Sequence, residues 1–122
     1  ERVRRHNFFA RHLAERVEAS SVLELCAPVT LSICCFRYAP PELRGRRAKG
    51  ALEQLNQLNR EILIRLHNEH HHSPSSTELD GAFVIRACYL NPRTTLADVD
   101  GLADAVERIG SQVWREREPA KR

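Results

Sequence analysis

Arg86 lies within FVIRACYL, between Val84, Ile85, Ala87 and Cys88, where a permanent charge needs an acceptor. Its planar fork suits a carboxylate held at two points. Arg37, in CCFRY, is a second guanidinium on an apolar strand, and its position favours an outward or interdomain salt bridge. His67 and His71 stand four residues apart, a separation that can bring two imidazoles to one metal, with His70 and His72 alongside. The H-E-x-x-H arrangement is absent and Ser73-Pro74 ends the run, so the expectation is an exposed helix C-terminus where protonated imidazole complements the dipole, and no metal.

The thiols point away from redox or metal chemistry. Cys34 and Cys35 are adjacent, so on a strand they face opposite ways, and Cys26 and Cys88 stand alone with no C-x-x-C spacing. Reduced, buried thiols fit a cytoplasmic protein. Lysines number two, Lys49 in a Gly-flanked basic loop and Lys121 in the terminal tail, and neither context is the dry pocket that activates an amine. Arg44, Arg46, Arg47 and Lys49 follow Pro40-Pro41 and read first as a solvated loop.

Composition bounds the rest. The 122 residues suit one domain, the 42% hydrophobic and 29% charged content is that of a globular chain, and no apolar run approaches a membrane span. A net charge of +3 with 6% aromatics argues against nucleic acid. A chain with no Met that opens on Glu1 is expected to follow an upstream segment.

Periodicity sets the elements that must carry these groups. Val3 to Ala19 places Phe9, Leu13 and Val17 on one helical face. Val22 to Leu25 reads as a short strand. Val29 to Tyr38 alternates, with Val29, Leu31, Ile33 and Cys35 on one side and Thr30, Ser32, Cys34, Phe36 and Tyr38 on the other, so both sides are expected to be covered. Ala48 to His70 carries an apolar stripe of Ala51, Leu55, Leu58, Ile62 and Leu66, whose burial is worth on the order of 10 kcal/mol before entropy. Ser75 to Leu79 and Ala82 to Leu90 flank Asp80-Gly81, a hairpin signal. Thr95 and Asp98 form a capping-box-like start to a last helix bearing Val99, Leu102, Ala103, Val106, Ile109 and Val113. The economical architecture is α+β, a small antiparallel sheet of about four strands with helices on one face, over residues 1–115, followed by a charged tail at 116–122.

Five blocks in this order carry a resemblance: RHNFFARHLAERVEA, ELCAPVTLSICCFRY, LNQLNREILIRL, LDGAFVIRACYLNPRTT and VDGLADAVERI. The chain resembles, from about Arg4 to Ile109, the C-terminal small domain of the fold-type I pyridoxal-phosphate-dependent amino acid decarboxylases, most closely the group II, aromatic-L-amino-acid branch. The resemblance implies a carboxy-lyase that removes carbon dioxide from an L-amino acid, with pyridoxal 5'-phosphate as electron sink. It implies that the cofactor is held by a large catalytic domain upstream, so that no residue of this chain is expected to be catalytic or cofactor-binding. It implies that Arg86 matches an arginine that touches substrate carboxylate in the glutamate branch, the alternative being an ion pair with the other domain. Asn91, Arg93 and Thr94 correspond to the turn before the last helix. A homodimer is implied for the full-length enzyme, with no nucleic-acid or membrane partner. From the residues alone, a free-standing α+β binding or regulatory module remains open.

Overall fold

A computed structural model describes residues 2–30, 32–44, 49–69, 71–89, 91 and 93–117 of the chain, with side chains from Asn7 onward apart from Lys49. Within them run α1 (Arg2–Glu18), β1 (Leu23–Leu25), β2 (Ile33–Tyr38), α2 (Lys49–Glu69), β3 (Ser75–Leu79), β4 (Ala82–Cys88) and α3 (Leu96–Arg117). His70, Pro92, Lys121 and most of the basic loop lie outside the described residues.

The strands form one antiparallel sheet in the order β1-β2-β4-β3. β3 and β4 meet at Asp80 and Gly81, whose φ values of 52° and 85° are those of a two-residue primed hairpin turn. Alternation along the strands splits the sheet into two faces. One face, built from Leu23, Cys34, Phe36, Tyr38, Ile85, Ala87 and Tyr89, is buried against all three helices. The predicted helical stripes supply the other half of that core: Phe9, Leu13 and Val17 from α1, Leu58, Ile62 and Leu66 from α2, and Val99, Val106 and Ile109 from α3. Ala39, Leu43, Ala51 and Leu55 make a smaller cluster beside Trp114.

Polar contacts set the helix order. His12 reaches Asp100, Arg16 reaches Asp104 and Glu107, and Ser20 also reaches Glu107, so α1 and α3 run parallel. Glu69 pairs with Arg108 and Arg65 with Glu116, so α2 runs antiparallel to α3.

The expected architecture, helices on one face of a four-stranded antiparallel sheet, is the one observed. Most boundaries move by a residue or two, and the largest difference is at the start of β2. β2 begins at Ile33, not Val29, because Ile33 N–H donates to Thr30 O at 3.0 Å and closes a turn where alternation predicts strand. Among the described residues no helix is long and apolar enough to cross a membrane.

Candidate functional site

Among the described residues, no helix packs on the second face of the sheet. That face carries Ile33, Cys35 and Arg37 from β2, Val84, Arg86 and Cys88 from β4, Glu24 from β1, and Ser75 and Thr77 from β3. Most of these side chains are half-buried. Such a face is neither a sealed core nor a freely solvated surface.

Arg86 stands in the middle strands of this open face, between Cys35 on β2 and Ser75 on β3. Its Nη1 donates to Ser75 Oγ at 3.4 Å, a long contact, and the Ser75 hydroxyl in turn donates to Arg86 O at 3.4 Å. Among the described residues it forms no ion pair with a carboxylate. The apolar neighbours named by the sequence divide between faces: Ile85 and Ala87 go into the core, and the guanidinium remains half-exposed. Burial is therefore milder than the sequence context suggests.

Arg86 also lines a cleft of about 400 Å³ at one end of the sheet, closed by the turn after α2 and the start of α3. His71, His72, Asn91, Thr94 and Asp98 are in its wall. Asn91 holds the turn, its Oδ1 accepting from Arg93 N–H at 2.9 Å and its carbonyl from Thr94 N–H at 3.2 Å. The capping box then closes reciprocally: Thr95 N–H donates to Asp98 Oδ2 at 2.9 Å, and Asp98 N–H donates to Thr95 Oγ1 at 3.2 Å. These are the turn and cap roles expected of this segment.

The histidines depart from expectation. His71 is exposed, but His72 is packed on α3, where a Cβ added to Gly101 would stand 3.3 Å from its Cε1. Desolvation holds its pKa below the ordinary value, against the opposing pull of Asp98. His67 bonds the carbonyl of Pro74 through Nε2 at 2.8 Å. The run is thus partly a packed connection between α2, β3 and α3 rather than a free helix end. Among the described residues no three His, Cys, Asp or Glu side chains converge to hold a metal.

Arg37 lies on the open face with Glu24, its Nε donating to Glu24 Oε1 at 2.8 Å, while its Nη1 is buried without an acceptor among the described residues. The thiols differ in setting, contrary to the uniformly buried set expected: burial pushes Cys26 and Cys34 up to about 12, while Cys88 is exposed. Tyr89 packs edge-on against Phe9, and burial raises its phenol as well. The sequence did not single out Arg37 Nη1 or the His72 packing, because both depend on approaches across elements.

Pyridoxal phosphate asks of a protein an amine and a cradle of donors for its phosphate. The cleft wall offers two imidazoles, Arg86 and hydroxyls, but no amine, so these residues do not fit as the cofactor's host.

No protein-family model matches the chain. An aromatic-L-amino-acid decarboxylase of Bacillus atrophaeus is 30% identical over 105 residues, which is 83% of this chain and 21% of that protein. Tyrosine decarboxylase 2 of Arabidopsis thaliana is 27% identical over 113 residues, 93% of this chain and 19% of that one. Among solved structures, mouse CSAD superposes with a TM-score of 0.81 at 23% identity, covering 89% of this chain and 23% of that one. Oryza sativa TDC, solved with PLP and tryptamine, gives 0.77 at 19% identity, covering 91% and 23%. The chain spans about one fifth of the length of the curated relatives it matches. In sequence and in fold, this chain is the counterpart of one part of the pyridoxal-phosphate-dependent amino acid decarboxylases.

Proposed function

We propose that the chain is the C-terminal portion of a pyridoxal-phosphate-dependent carboxy-lyase that releases carbon dioxide from an L-amino acid with an aromatic side chain. The observation that carries this reading is the match to an aromatic-L-amino-acid decarboxylase over 83% of this chain but only 21% of that protein. The cofactor, in this reading, is held by the large domain of the same parent chain, since the cleft described above has no amine to hold it. The parent is a cytoplasmic homodimer.

The chain's own contribution is a wall and a cation. The half-buried open face packs on the large domain, and Arg86, the cation there with no carboxylate partner among the described residues, binds a carboxylate of the substrate. Two parallel N–H donors would fix that carboxylate in orientation as well as position. Ser75, whose hydroxyl contacts both the side chain and the carbonyl of Arg86, limits where the fork can point.

Expression with the upstream reading frame, followed by measurement of carbon dioxide released from aromatic and acidic L-amino acids with added pyridoxal phosphate, tests the activity. Release from the aromatic substrates is expected, and no release from any amino acid overturns the reading. In the same enzyme Arg86→Gln is expected to raise KM by about tenfold or more, the loss of a charge-assisted bidentate contact. A fall in melting temperature with KM unchanged would instead make Arg86 an interdomain ion pair.

A further inference from the structure

We infer that Cys26 and Cys35 are a redox site, a facing pair of thiols that hydrogen peroxide converts to a disulfide across β1 and β2. The inference needs only the strand register and stands apart from the decarboxylase reading above.

The pairing is invisible in the sequence, where Cys26 stands alone. Leu23, Glu24 and Leu25 of β1 lie opposite Tyr38, Arg37 and Phe36 of β2, and the next step of that register sets Cys26 against Cys35. Cys26 N–H donates to Cys35 O at 2.9 Å, so the two backbones are in ladder contact there. Directly opposed residues of an antiparallel pair have Cα atoms about 4.5–5.5 Å apart, inside the roughly 4.4–6.8 Å that a disulfide spans. Their side chains also share a face of the sheet. The other two thiols are placed differently: Cys34 points into the core, and Cys88 stands opposite Ile33.

Two features let the bond close. Cys26 lies just past the end of β1 and shortly before Pro28, which cannot extend the ladder, so its backbone is free to yield. Its Sγ is held only by a weak contact, donating to Glu24 O at 3.5 Å, and a rotation about χ1 turns it toward Cys35. Burial is the main cause of the raised Cys26 pKa, and a charged Cys35 adds to it, which puts the two sulfurs within electrostatic reach.

The neighbours set the order of events. Burial raises both thiols, and at Cys35 the charge of Arg86, directly opposite on β4, opposes it. Cys35 therefore reacts first. Its sulfur attacks the peroxide O–O bond, keeping one oxygen as a sulfenic acid and releasing water. The Cys26 thiol then displaces that oxygen as a second water and forms the S–S bond. Two electrons and two protons leave the thiols, and the peroxide is reduced to two waters. In a reducing compartment the bond is transient, because small thiols restore both cysteines by exchange.

The test treats the full-length protein with hydrogen peroxide, alkylates the remaining thiols in denaturant, and cuts with chymotrypsin, which cleaves between Cys26 and Cys34 after Leu31. Mass spectrometry is expected to find the peptide holding Cys26 joined to the one holding Cys34 and Cys35, and dithiothreitol is expected to separate them. The join should persist in Cys34→Ala and vanish in Cys35→Ala. Cys34 is fully buried and its variant can fail to fold, so fragmentation of the joined peptides from the unaltered protein reads the same point. There Cys34 is expected to carry the alkyl group and Cys35 the link. Cys26 and Cys35 both free after treatment, a link from either to any other cysteine, or oxidation of Cys35 that runs on to the sulfinic acid each overturns the inference.

Discussion

Asn59 on α2 grips the backbone of Tyr38 on β2 at both ends: its Oδ1 accepts from Tyr38 N–H at 2.8 Å and its Nδ2 donates to Tyr38 O at 3.0 Å. The same Nδ2 also reaches Leu55 O at 2.8 Å, and the side chain is fully buried. Three residues earlier Asn56 does the same job on the hairpin, donating to Gly81 O and accepting from Phe83 N–H. Two amides one helical turn apart thus tie α2 to β2 and β4. Asn59→Leu leaves a buried N–H and a buried C=O without partners, and is expected to cost about 2–4 kcal/mol of stability. A urea titration reads this as a lowered midpoint at unchanged slope; a change under 1 kcal/mol would mean that the strand pairs elsewhere.

At Gly110, α3 lies directly against the ring of Tyr38 on β2. A Cβ there would lie 2.6 Å from Cγ of Tyr38, nearer than atoms can stand, and both residues are buried. Gly110→Ala is therefore expected to destabilise by about 1–3 kcal/mol through overpacking, although alanine favours a helix by about 1 kcal/mol. Gly50, near the start of α2, has nothing within 4 Å of the same added atom. There Gly50→Ala should be neutral or stabilising, so the difference between the two variants in thermal unfolding isolates the Tyr38 contact.

These two contacts also mark what the sequence could disclose. Apolar spacing and turn chemistry are local, and they foretold the three helical stripes, the Asp80-Gly81 hairpin and the Thr95–Asp98 cap, which the fold reproduces. Asn59 was not legible, because a polar residue between Leu58 and Ile62 only weakens a hydrophobic stripe until the strand it serves is placed. The start of β2 departs from the pattern for the opposite reason: alternation from Val29 to Ser32 looks like strand, while the Thr30–Ile33 bond makes it a turn. Arg86 was legible as a guanidinium in an apolar strand, and its half-exposure on the open face was not, since that depends on which of two faces the helices cover.

The parallel pair α1 and α3 is fastened by Arg16, whose guanidinium bonds Asp104 at 2.8 Å and Glu107 at 2.7 Å, with the Ser20 hydroxyl donating to Glu107 at 2.6 Å. The hydrogen bond from Arg16 is the main reason that the Glu107 carboxyl sits below its ordinary pKa. A lowered folded pKa contributes stability above the unfolded value, about 4.3 for Glu, and that contribution disappears as pH falls through the folded one. Glu107→Gln is accordingly expected to cost about 1 kcal/mol at neutral pH, and the gap from the unaltered chain should close on acidification below about pH 4. Unfolding free energies measured across that range check the sign; a gap that widens in acid would exclude the Arg16 pairing as its source.

His72 titrates in the other sense. Its ring fills the space above Gly101 on α3 and lines the cleft that Arg86 shares, and the charges facing it are Asp98 on α3, Glu69 and His71 on or beside the end of α2, and Arg108 on α3. Desolvation outweighs the carboxylates and depresses its pKa. For a histidine buried in its neutral form the unfolded chain takes up the proton first, so stability is complete above the unfolded value, about 6.5, and declines as pH falls from there toward the folded value. The expected result is a loss of stability between neutral and mildly acidic pH that is absent in His72→Gln, while His71→Gln, at an exposed position, leaves it in place. Loss of the acid dependence in the His71 variant instead would place the titrating proton on the exposed ring and remove His72 from the account.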